Sequence, residues 1–154
     1  MWCTLLFALT AGVTLAVAAG DPFIGTWKLN AAKSKMAPDA PALRTALVRI
    51  EAAGQSLRFT TEGNGADGKP LNFAYEAPLD GKTAGAVTGA PFMDSTVMKR
   101  ADRRTVIAIA RKDGKEVFRD RRVVSKGGRT LTISRSGTTG AGTLYHSTFI
   151  LERQ

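Results

Sequence analysis

From Ile24 onward, apolar residues come in short runs rich in β-branched and aromatic side chains, with turn residues between them. The first is Ile24-Gly25-Thr26-Trp27-Lys28-Leu29. Ala46-Leu47-Val48-Arg49-Ile50 and Leu57-Arg58-Phe59-Thr60-Thr61 flank a turn at Ala53-Gly54, and Leu71-Asn72-Phe73-Ala74-Tyr75 follows a glycine-rich loop. Further runs lie at Ser95 to Met98, Thr105 to Ile109, Val117 to Val124, Thr130 to Ile133 and Tyr145 to Leu151, with a weaker piece at Ala86-Val87-Thr88. Such runs predict strands, and no sustained helical period competes with them.

The turns share a chemistry. Asp67-Gly68-Lys69, Asp80-Gly81-Lys82 and Asp113-Gly114-Lys115 repeat one tripeptide, and Lys126-Gly127-Gly128-Arg129 varies it. Asp-Gly admits the positive φ angles of tight hairpins. Hairpins in series make an antiparallel meander, and closure removes its two exposed edges. The expected fold is all-β: a single up-and-down antiparallel β-barrel of nine or ten strands, its first and last strands paired. One stretch breaks the rhythm. Asn30 to Arg44 carries Pro38 and Pro41 and lacks strand character. Asn30 is placed to cap a short helix over Ala31 to Lys35, with a loop beyond it crossing one barrel end.

The first nineteen residues differ from the rest. They contain no charged side chain, run through Leu5-Leu6-Phe7-Ala8-Leu9 and end in Ala16-Val17-Ala18-Ala19. An apolar core before a small-residue site predicts a secretory signal peptide over 1–19, cut after Ala18 or Ala19, ahead of a barrel domain over 20–154. The alternative is an N-terminal membrane anchor, because Met1-Trp2-Cys3-Thr4 lacks the usual basic residue. The apolar run is short for a span, so no transmembrane segment is expected after cleavage. These features predict a secreted or periplasmic protein. Cys3 is the only cysteine, so the mature chain would have no disulfide, thiolate nucleophile or Cys-ligated metal.

Charge is unevenly placed. The chain carries a formal +9. Asp21 to Met98 holds eight basic and eight acidic residues, whereas Lys99 to Arg135 holds thirteen basic against four acidic. An anionic lipid or polysaccharide surface suits such a block. Nucleic acid does not: Phe118 is the only aromatic in it, and single-strand binders interleave stacking platforms with cations.

Phe23-Ile24-Gly25-Thr26-Trp27-Lys28-Leu29 resembles the opening strand of the fatty-acid-binding proteins and contains the Gly-x-Trp of the lipocalins. Both are calycins, barrels that enclose a small, usually apolar ligand. With Lys33-Ser34-Lys35 and the repeated Asp-Gly-Lys turns, the chain resembles uncharacterised exported bacterial lipocalin-like proteins. The resemblance implies a barrel that binds a small apolar or amphipathic molecule without catalysis or cofactor. It also implies that Arg153, on the last strand, packs on Trp27. The Arg-x-Tyr that holds a carboxylate in fatty-acid-binding proteins is missing, since the last strand reads Tyr145-His146-Ser147-Thr148-Phe149.

Individual residues admit two readings each. Trp27, beside Gly25, either lines a cavity or plugs the closed end, and the plug fits a packed barrel base better. Phe59, Phe73 and Tyr75 are the candidates to line a pocket, against a dry core of the same rings. The strand from Lys115 to Ser125 has one face with Arg119 and Arg121 and another with Phe118, Asp120, Arg122 and Val124. If Arg119 and Arg121 point inward, an anionic head group becomes the natural ligand; if outward, they are solvated. His146, the only histidine, has its neighbour Ser147 on the opposite strand face, so no catalytic set is expected. No metal or cofactor motif is present in the sequence.

Overall fold

The computed structural model describes residues 20–154; the leader and Cys3 lie outside the described residues. Ten strands follow one another in chain order: β1 (Gly25–Leu29), β2 (Leu43–Ala53), β3 (Ser56–Gly65), β4 (Pro70–Pro78), β5 (Asp80–Thr88), β6 (Ser95–Asp102), β7 (Thr105–Lys112), β8 (Lys115–Val124), β9 (Thr130–Thr138) and β10 (Leu144–Arg153). Each pairs antiparallel with the next, and β1 pairs with β10 to close the barrel, Trp27 opposite Arg153. The expected meander is therefore the fold, and closure leaves no free edge. The weak run at Ala86-Val87-Thr88 belongs to β5, paired with β4 through Tyr75 and Val87.

The hairpins show why the sequence turns where it does. Lys112 and Lys115 pair directly, so Asp113 and Gly114 alone make the bend, with φ of 50° and 76°. Only two residues with positive φ join strands so tightly without splaying them. In the irregular stretch Asn30 caps a single 3-10 turn, Ala31–Lys33, its side chain accepting from the Lys33 N–H at 3.1 Å. That turn is shorter than the helix expected over Ala31 to Lys35. The chain then meets β10 at Lys35 and Thr148, and Met36, Ala37 and Ala40 pack against the core.

One end of the barrel is solid. Trp27 is fully buried, as are Phe23, Ile50 and Leu57, and its Nε1 donates to the Phe23 carbonyl at 2.9 Å. The Arg153 guanidinium lies 4.2 Å from the Trp27 ring centroid and donates to the carbonyls of Pro22, Ile24 and Gly128 at 2.6–2.7 Å. Gly25, at φ 144°, leaves room for that guanidinium; a Cβ there would collide with it. Arg100 pairs with Asp21 on the same end, over the Phe23 ring. No helix among the described residues is long and apolar enough to cross a membrane.

Candidate functional site

Period-two alternation decides what β8 turns inward. Phe118, Asp120, Arg122 and Val124 are all buried, while Arg119 and Arg121 are exposed on the outer wall. The inward placement of Arg119 and Arg121 is thus corrected: Arg119 pairs outside with Glu116 at 3.3 Å. Physical chemistry favours this register. Turning Arg119 and Arg121 inward would bury two cations with no acid beside them, whereas the opposite face supplies a carboxylate and two apolar anchors of its own.

Inside, three strands, β4, β8 and β9, converge on one polar cluster. Asp120 has no exposed surface. It accepts from Arg135 on β9 in a fork, Nε to Oδ1 at 2.8 Å and Nη2 to Oδ2 at 3.0 Å, and from Arg122 Nη2 at 3.0 Å. Asp120 and Arg135 are direct cross-strand partners, which sets the fork. Arg122 Nη1 reaches across the barrel and donates to the Tyr75 hydroxyl on β4 at 2.7 Å. Burial by itself would raise the Asp120 carboxyl; the guanidiniums, Arg135 foremost, overcome that and hold it below the ordinary aspartate value. Burial raises the Tyr75 phenol despite Arg122, so the hydroxyl stays protonated.

Aromatic rings lie against both cations. Arg122 lies 4.9 Å from the Phe59 centroid, and Arg135 lies 3.7 Å from that of Phe118 and 5.1 Å from that of Phe149. Desolvated contacts of this kind favour a cation over an aromatic face. Phe59 and Tyr75, register partners on β3 and β4, stack at 5.0 Å, and Phe73 continues the row at 6.5 Å. Phe92, from the β5–β6 loop, closes over this row, edge-on to Phe73 at 5.7 Å.

Beside Met93 the barrel is not filled. A cavity remains in which about 60 Å³ is open to the centres of water molecules, bounded by Phe59, Phe73 and Tyr75 on one side and by Asp120, Arg122 and Arg135 on the other. A single water needs about 10–15 Å³ on that measure, so the space takes several. Phe59, Phe73 and Tyr75 are therefore brought together on one cavity wall. Gly25, Trp27 and Arg153 sit at the solid end, away from it. His146 is exposed, and Ser147 is buried with its Oγ accepting from the Ala37 N–H at 3.0 Å. Among the described residues no group of three or more His, Cys, Asp or Glu could hold a metal.

The residues that sequence reasoning passed over are Asp120, Arg122 and Arg135. Their signal was present: an acid and a base at period two between Phe118 and Val124, and an arginine in phase with Leu131 and Ile133.

No protein family matches the sequence, and no curated protein matches it. Among solved structures, lobster apocrustacyanin A1 is similar with a TM-score of 0.49 at 12% identity, over 88% of this chain and 63% of that one. The chain thus spans less than two thirds of that protein's length.

Proposed function

We propose that this chain is an exported, calycin-type barrel that binds a small apolar or amphipathic molecule in its interior without transforming it. The observation that supports the reading is the cavity between the Phe59–Tyr75–Phe73 row and the Arg122–Asp120–Arg135 cluster. A barrel packed only for stability would fill this layer with aliphatic side chains; here aromatic walls and fixed polar groups face an unfilled space, the composition of a small-molecule site. Export is carried by the leader over 1–19. Native mass spectrometry of the protein purified from its own compartment tests both parts. A non-covalent adduct on a chain beginning at Ala19 or Gly20 is expected. A bare chain that also fails to take up an apolar fluorescent probe would overturn the binding reading.

A second reading has its own observation. Of the thirteen cations between Lys99 and Arg135, Arg100, Arg122 and Arg135 are paired with Asp21 or Asp120. The other ten meet only Asp102, Asp113 and Glu116 within the block, leaving an excess of seven on the strands and turns of β6 to β9. That wall suits docking on an anionic lipid or polysaccharide surface, and it is compatible with an occupied interior.

A further inference from the structure

The inner cluster does not balance. Two guanidiniums, Arg122 and Arg135, face a single carboxylate, Asp120, and Tyr75 is a neutral phenol. The cluster therefore carries one net positive charge inside a barrel where Arg122 is only 5% exposed. An uncompensated buried cation is the costly arrangement; a second acid, or a hydrophobic residue in place of one arginine, would remove it.

The donors tell the same story independently of the charge count. Arg122 uses Nη1 on Tyr75 and Nη2 on Asp120, and its Nε–H is buried without a partner among the described residues. Arg135 uses Nε and Nη2 on Asp120, and its Nη1, which keeps some exposure, donates to no protein group among the described residues. Buried N–H groups in native proteins are almost always satisfied, by protein or by something bound. Both side chains border the cavity. Asp120 pins the two guanidiniums from one side, and the Phe59, Phe118 and Phe149 rings hold them flat. The site is thus preorganised, so an incoming acceptor would not have to order flexible side chains.

We infer that the cavity takes a small amphipathic acid, with one carboxylate-type anion at Arg122 and Arg135 and a compact apolar body against Phe59, Phe73 and Tyr75. The inference rests on the cavity being a binding site and adds the chemistry of what enters. One negative charge matches the net charge of the cluster. The limited volume admits a short chain, or the head of a longer one whose tail passes the Phe92–Met93 loop.

The test compares hexanoate, 1-hexanol and hexylamine on the purified protein at neutral pH, by titration calorimetry and thermal shift. Charge-assisted hydrogen bonds in a shielded site should make hexanoate bind roughly ten- to a hundredfold more tightly than hexanol. Arg122→Met should bring hexanoate to the hexanol level while hexanol binding persists. Arg119→Gln, on the exposed outer wall, should retain the preference, and Arg135→Met, which removes the other guanidinium, should abolish it and carries the test if Arg122→Met does not fold. Hexanoate affinity should also fall less between 0.1 and 1 M salt than binding to the outer wall, because buried charge pairs are screened less than exposed ones. Equal binding of hexanol and hexanoate, or a preference for hexylamine, overturns the acid and leaves the cavity. Binding of none of the three overturns both.

Discussion

Replacing Asp120 by Asn removes the one charge that holds two buried cations together. The side chain keeps its size, so the effect is electrostatic. In the native barrel Asp120 accepts three hydrogen bonds of 2.8–3.0 Å from Arg122 and Arg135 with no exposure to water. Removing one partner of a buried ion pair typically costs about 3–5 kcal/mol, because the survivor is left uncompensated. Two survivors share this interior, so the upper part of that range is expected. Against a typical domain stability of about 5–15 kcal/mol, that would lower Tm by on the order of 10–20 °C. Urea unfolding at neutral pH measures it.

The pH dependence supplies a second readout with a fixed sign. The Asp120 carboxyl is lowered by the guanidiniums in the folded chain. Its contribution is therefore fully present above the unfolded aspartate value of about 3.9 and is lost as pH falls through the lower folded value. The stability gap between wild type and Asp120→Asn should be constant from pH 7 to about 5 and shrink as pH drops below about 4. Adding Arg122→Met to Asp120→Asn should recover part of the loss, since one unpaired cation goes with it. If Asp120→Asn costs less than about 1 kcal/mol, or if the gap grows in acid, the cluster does not govern the interior as argued.

Trp27→Ala should cost roughly 3–5 kcal/mol in chemical denaturation, since a fully buried ring and the Arg153 stacking on it are lost together; wild-type stability with lost ligand uptake would move Trp27 from the solid end's scaffold to the site. Tyr75→Phe should cost about 1–3 kcal/mol, because the buried Arg122 Nη1 loses its acceptor; no change would mean that another group accepts from it. Changing Arg103, Arg104, Arg111 and Lys112 to Ser should weaken sedimentation with anionic vesicles and leave hexanoate binding intact; wild-type vesicle binding in this variant would dismiss the outer wall as a docking face.

The barrel was legible because its determinants are local. Asp113-Gly114 makes a two-residue hairpin through its own backbone preferences, whereas the same pair falls in a longer loop at Asp67-Gly68 and inside β5 at Asp80-Gly81; runs such as Thr105 to Ile109 form strands through their own side chains. Closure then follows from edge avoidance, which needs only the number of strands. The irregular stretch was less legible, because its path is set by contacts far along the chain: the Lys35–Thr148 pairing and the Ala37 hydrogen bond to Ser147.

The site was half legible for a related reason. Phe59, Phe73 and Tyr75 announce a buried face by their own hydrophobicity, and period two carries them to one wall. β8 gives no such signal, since both of its faces mix valines with charges. What decides is the partner strand: Arg135 on β9 stands opposite Asp120, so only the register that turns both inward gives the carboxylate two guanidiniums. Within β8 alone, Asp120 pairs with Arg122 and the two charges cancel. With Arg135 included, the same face carries one positive charge with no anion to match it. The excess charge and the cavity therefore have one origin. A strand pairing built two arginines around one aspartate, and the volume left beside them is where the missing anion fits.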